Sequence, residues 1–178
     1  GPGPHGHAQT VGQSVNATRR FDLPDEAATE RLAAGLAGAC LAPATTRPLT
    51  IFLEGDLGAG KTALVRALMK SGGYRGRVKS PTYTLIESYP LGETRVHHLD
   101  LYRVGDAEEL AYLGIRDLVS EPGLCLVEWP QRGVGFLPAP DLRILLRYVA
   151  GGRGATVSAF TPAGGAVLST LDLPTATD

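Results

Sequence analysis

The sequence predicts an α/β fold, a three-layer sandwich of helices about a mixed central sheet with a parallel core and added antiparallel hairpins. Three observations carry this. Short apolar, β-branched runs at Leu49–Leu53 and Leu124–Val127 have the character of strands buried on both faces. Helical spacing occupies the stretches between such runs. A glycine loop joins the first of these strands directly to a helix. The chain has 178 residues and 43% hydrophobic content, enough to close one core, so a single domain over 19–173 is expected.

The elements follow in order. The leader, Gly1-Pro2-Gly3-Pro4-His5-Gly6-His7 and onward to residue 18, lacks a signal-peptide core and is too rich in Gly and Pro to bury surface. It is expected to be a cloning remnant or a floppy tail, in which His5 and His7 have no scaffold to ligate a metal. Arg19–Leu23 reads as a short strand. From Pro24-Asp25 a helical pattern runs through Ala28, Leu32, Gly35, Leu36 and Ala39, and should stop by Pro43. A loop over residues 44–48 precedes the Leu49–Leu53 strand. Thr62–Met69 is helical and is ended by Gly72-Gly73.

Tyr83–Tyr89 and Arg95–Leu99 suggest a hairpin around Pro90-Leu91-Gly92-Glu93. Asp106–Leu110 starts a helix with its acids where the dipole favours them, and Ile115–Val119 continues it after Gly114. Leu142–Val149 and Ala155–Phe160, around Gly151-Gly152-Arg153-Gly154, form a C-terminal hairpin to which Ala166–Leu171 could add. Residues 174–178 read as a flexible tail.

Composition excludes several classes. With 17 basic and 18 acidic residues the net charge is −1, so no global field draws the chain onto nucleic acid; a local basic patch stays open. Direct tRNA contact is accordingly not expected. Cys40 and Cys125 sit in apolar runs without CxxC or metal spacing, as reduced thiols of a cytoplasmic protein do. No apolar stretch approaches the roughly 20 residues that span a bilayer, so no membrane association is expected.

Gly55-Asp56-Leu57-Gly58-Ala59-Gly60-Lys61-Thr62 fits G-x-x-x-x-G-K-[ST] between a strand and a helix, the context that gives the match meaning. Glycines let successive N–H groups curl around phosphate oxygens, and the helix N-terminus adds partial positive charge. Lys61 is expected to reach the β- and γ-phosphates of a bound nucleotide and Thr62 to ligate Mg²⁺. This makes the fold P-loop NTPase-like. A second acid should end a neighbouring strand, and both Asp100 and Glu128 qualify; spacing alone does not say which touches metal and which orients water. Ser80-Pro81-Thr82-Tyr83-Thr84, following Arg75, Arg77 and Lys79, has the make-up of a switch segment that orders against a γ-phosphate. No Asn-Lys-x-Asp tetrapeptide supports guanine reading, and no Arg-rich lid supports a small-molecule kinase.

The phosphate loop, Val78-Lys-Ser-Pro-Thr-Tyr-Thr-Leu85, His98-Leu-Asp-Leu-Tyr-Arg103, Gly114-Ile-Arg-Asp117 and Val127-Glu-Trp-Pro130, in this order and spacing, resemble the bacterial TsaE (YjeE) family. The resemblance runs from about Leu23 to about Leu171 and implies an atypical P-loop ATPase needed for threonylcarbamoyladenosine in tRNAs that read codons starting with A. It further implies action beside the TsaD and TsaB proteins, with ATP and Mg²⁺ as cofactors; because a partner can supply a transition-state cation in trans, feeble hydrolysis by the isolated chain is expected. Carried onto this chain, it makes Lys61, Asp100 and Glu128 catalytic. The nucleotide-binding set is Asp56, Leu57, Gly58, Ala59, Gly60, Lys61, Thr62, Ala63, Ser80, Thr82 and Trp129. Thr62 and Glu128 become the Mg²⁺ ligands, and Asp100 the acid that orients water. The rival expectation is a nucleotide-gated binding module in which occupancy, with hydrolysis incidental, controls docking.

Overall fold

The computed structural model describes residues 16–176. Seven strands form one sheet: β1 (Ala17–Leu23), β2 (Pro48–Glu54), β3 (Ile86–Leu91), β4 (Thr94–Asp100), β5 (Gly123–Glu128), β6 (Leu142–Val149) and β7 (Gly152–Ala159). Their order is β1-β7-β6-β2-β5-β4-β3. The inner strands β4, β5, β2 and β6 run parallel, and β3 and β7 pair antiparallel to their neighbours at either side, as does β1 on β7. The predicted parallel core with antiparallel hairpins is therefore present.

The helices are α1 (Glu26–Ala44), α2 (Lys61–Ser71), α3 (Glu109–Tyr112), α4 (Ile115–Ser120) and α5 (Pro162–Thr170), with a 3₁₀ turn at Pro130–Gly133. Strand alternation sorts the core into two faces. Leu49, Ile51, Leu53, Leu124 and Leu126 pack against α1, α2 and α5. Phe52, Cys125 and Val127 face the opposite way, toward Leu110, Ile115 and Val119 of α3 and α4. Three layers result, the second helical layer being the smaller. Among the described residues no helix is long and apolar enough to cross a membrane.

Five expectations need correction. Asn16–Thr18, assigned to the leader, belong to the fold: Ala17 and Thr18 pair with Ala159 and Ser158, and the Asn16 N–H donates to the Ala159 carbonyl. At the other end, the Ala176 N–H donates to the Arg20 carbonyl, so order extends past 173. Residues 1–15, with His5 and His7, lie outside the described residues.

Helix α1 runs through Pro43 to Ala44, because a proline in the last turn removes only one ladder bond. Tyr83–Leu85 is not strand: the Leu85 N–H donates to the Pro81 carbonyl and Leu85 takes φ +67°, so a turn delays β3 until Ile86. That strand then continues through Pro90-Leu91, at the sheet edge where proline's missing N–H is harmless.

Ala166–Leu171 adds no strand to the C-terminal hairpin. The Thr161 side chain caps α5 by accepting from the Gly164 N–H at 3.0 Å, and Pro162 occupies the first turn. Gly164 sits so close to β6 that a Cβ would lie 1.9 Å from the Asp141 carbonyl oxygen. The helix docks there for want of a side chain.

Candidate nucleotide site

Because β2, β5 and β4 are parallel, their C-terminal ends share one edge. Leu53 pairs with Glu128, and Glu128 with Asp100, so both acids and the start of the glycine loop are brought together by register alone. Ligands of open parallel sheets bind outside this edge. Helix α2 begins at Lys61 with no side-chain cap, preceded by Gly60 at φ +109°. Gly55, at φ +142°, passes the middle of β6 so closely that a Cβ would meet the Leu146 carbonyl oxygen at 2.5 Å.

A cleft of about 530 Å³ opens over this edge. Of the expected residues it collects Leu57, Gly58, Gly60, Lys61, Thr62, Ala63, Ser80, Thr82, Asp100, Glu128 and Trp129. Asp56 and Ala59 are not on it; they lie on the far side of the loop against Leu145–Tyr148. The Ala59 N–H is spent inside the loop, donating to the Asp56 carbonyl at 3.0 Å.

Lys61 is buried, its ammonium donates to the Gly55 carbonyl, and Nζ stands 4.1 Å from the Trp129 ring centroid. Burial lowers its pKa from the ordinary lysine value, while Glu128, Asp100 and other nearby acids oppose that fall. Trp129 is held in the left-handed region at φ +56°, and its ring packs 5.0 Å from that of Tyr102. Leu85 and Trp129 are the two non-glycine residues with positive φ among the described residues, and both adjoin this site.

Glu128 is 3% exposed and its Oε2 takes two contacts. His98 Nε2 donates to it at 2.6 Å and the Thr62 hydroxyl at 3.4 Å. Its other oxygen carries no hydrogen bond among the described residues. Asp100 accepts from the Tyr102 N–H at 3.1 Å, and burial, reinforced by Glu128, raises its pKa above the usual carboxylate value. The hydroxyls of Ser80 and Thr82 bond each other at 2.7 Å at the rim. Beside them Tyr83 is 82% exposed, with Arg103 4.7 Å over its ring.

One hydroxyl and one carboxylate with a spare oxygen form a hard, oxygen-only donor pair. Among the described residues no group of three or more His, Cys, Asp or Glu is placed to hold a metal. A pair this sparse suits Mg²⁺, which keeps its waters and takes phosphate oxygens, and does not suit Zn²⁺ or Ca²⁺.

Sequence reasoning missed three residues here. His98, 0% exposed, holds Glu128; its position two residues before Asp100 on an apolar strand was the available signal. Tyr148 and Arg153 fold over from the β6–β7 hairpin: the Tyr148 hydroxyl donates to the Gly58 carbonyl, as does Arg153 Nη2 at 3.3 Å. Only the hairpin's length relative to β2 could have shown that its tip meets the glycine loop.

A model of the family described as threonylcarbamoyl adenosine biosynthesis protein TsaE matches residues 23–153. Curated proteins named tRNA threonylcarbamoyladenosine biosynthesis protein TsaE are similar along most of their length. The one from Haemophilus influenzae is 40% identical over 83% of this chain and 93% of its own. The one from Nostoc is 34% identical over 84% and 89%. The crystal structure of Bacillus subtilis YdiB superposes with a TM-score of 0.67 at 28% identity, covering 89% of this chain and 95% of that one. The chain belongs to the TsaE family.

Proposed function

We infer that the protein is a Mg²⁺-dependent ATP-binding and hydrolysing subunit required for threonylcarbamoyladenosine modification of tRNAs that read codons starting with A, acting with TsaD and TsaB. The observation that carries the ATPase reading is the meeting of Thr62, Glu128, Asp100 and Lys61 at the mouth of one glycine loop. The role in tRNA modification rests on the family and on the names of its curated relatives.

Each residue has work to do at that mouth. The loop amides and the N-terminus of α2 hold phosphate oxygens, and Lys61 leaves its carbonyl and ring contacts to pair with them. Thr62 and Glu128 would hold Mg²⁺, which when bound neutralises phosphate charge. Asp100 accepts a hydrogen bond from water and orients it toward the terminal phosphate. His98 fixes the Glu128 carboxylate so that one oxygen stays available. Ser80 and Thr82 sit where a terminal phosphate would order them, and exposed Tyr83 beside them offers a docking point for a partner.

That exposure also favours the second reading, in which ATP occupancy alone presents residues 80–84 and hydrolysis is incidental. Reconstituted tRNA modification with TsaD, TsaB and either ATP or a non-hydrolysable analogue separates the two. The ATPase reading predicts that modification stops with the analogue after at most one turnover. Sustained multiple turnover with the analogue would establish the gated module instead.

A further inference from the structure

Between Leu57 and Ile86 stand Lys61, Arg66, Lys70, Arg75, Arg77 and Lys79, with no Asp or Glu among them, so a chain of net charge −1 carries +6 on this segment and −7 elsewhere. Lys61 belongs to the nucleotide site. Four of the others surround a separate cleft of about 800 Å³ between the last turns of α2 and the loop 73–78: Arg66, Lys70, Arg75 and Arg77. All four are exposed, no acid lines the cleft, and none of the four forms an ion pair among the described residues.

The loop that carries the two arginines is a built feature. Tyr74 packs edge-on against buried Tyr89 with centroids 5.1 Å apart. The Tyr89 hydroxyl accepts from the Lys79 N–H at 2.8 Å and donates to the Lys79 carbonyl at 3.3 Å. Gly76 passes so close to the Tyr74 ring that a Cβ would lie 2.6 Å from its hydroxyl oxygen. The segment is thus clasped at both ends over β3, and Arg75 and Arg77 project from it beside the i, i+4 pair Arg66 and Lys70.

We propose that this cleft binds the phosphodiester backbone of a structured RNA. Clustered guanidinium forks match phosphate oxygens, and cations lacking acidic partners gain most when they displace the counterions of a polyanion. An acidic protein partner fits less well. Protein interfaces draw most of their affinity from Trp, Tyr and Arg seated in desolvated pockets; the four cations here are exposed, and none of the exposed large hydrophobic side chains lines this cleft. The choice of RNA over other polyanions rests on the proposed role in tRNA modification. The near-neutral net charge argued against direct tRNA contact only because it averages an acidic remainder with this basic segment.

The test is fluorescence anisotropy of a labelled anticodon stem-loop RNA across a series of KCl concentrations, with mant-ATP binding measured on the same samples. Four cations predict a log–log salt slope between about −2.8 and −3.6, from 0.7 to 0.9 counterions released per contact. Arg75→Gln/Arg77→Gln should shrink the slope by about 1.4 to 1.8 and weaken binding at least ~10-fold at low salt, with mant-ATP affinity and melting temperature unchanged. Absent RNA binding at low salt, or an unaltered slope in the double variant, would overturn the proposal. So would displacement of RNA by polyglutamate at equal charge concentration, which would assign the cleft to acidic proteins. Failure to bind mant-ATP with RNA binding intact would sink the ATPase reading alone.

Discussion

Replacing His98 by alanine removes the donor that holds Glu128, and its cost can be worked from the geometry. The 2.6 Å bond joins two buried side chains. A hydrogen bond to a charged group contributes about 1.5–3 kcal/mol. The cavity left by a fully buried ring shrunk to a methyl adds about 2 kcal/mol. His98 Nδ1 is buried with no hydrogen-bond partner, so its removal returns about 1 kcal/mol. The net destabilisation is roughly 3 kcal/mol, or about 6–12 °C in melting temperature for a domain of this size.

Guanidinium unfolding followed by circular dichroism measures it. A double-mutant cycle with Glu128→Ala isolates the pair and should give a coupling of about 1.5–3 kcal/mol. A coupling below about 0.5 kcal/mol, the size at which independent sites add, would show that His98 merely fills space and does not hold the carboxylate.

Other consequences follow from the same site. Trp129 is the chain's one tryptophan and lies under the Lys61 ammonium, so if ATP binds and draws Lys61 away its emission should change; the change should vanish in Lys61→Met. If Asp100 orients water it does so only as carboxylate, and its pKa is raised, so hydrolysis should be present at neutral pH and fall as pH drops through a value above the usual carboxylate range. If Asp100→Asn retains full activity, the residue is not the orienting acid. Burial pushes the Cys40 and Cys125 thiols up to about 12, so both should resist alkylation at pH 8 in the folded protein and react on unfolding. Fast labelling of the native state would contradict their placement in the core.

Much of this site was legible in the sequence because its signals are local. A phosphate loop needs glycines and a Lys-Thr pair at fixed spacing, and an acid at a strand's end is visible beside its apolar run. What was hidden depends on pairing between distant segments. His98 meets Glu128 only because β4 and β5 are in register, with His98 opposite Leu126. Arg153 and Tyr148 reach Gly58 only through the packing of β6 beside β2.

Local propensity also misled in two places. Tyr83–Leu85 is β-prone, yet the turn begun at Pro81 holds it at the rim of the cleft. Ala166–Leu171 is apolar enough for a strand, and the cap at Thr161 with Pro162 decided for helix. Net charge concealed the basic cleft because the opposing charges lie in different parts of the chain.

If Lys61 and Glu128 serve one Mg²⁺-ATP site, turnover needs both side chains. The deciding measurement is phosphate release by the wild-type chain, Lys61→Ala and Glu128→Ala, each alone and with TsaD, TsaB and substrate tRNA. The isolated wild type should release phosphate feebly, the partners should stimulate it, and each variant should lose both release and base modification. Undiminished release by either variant, or vigorous wild-type turnover that the partners do not increase, would contradict this reading.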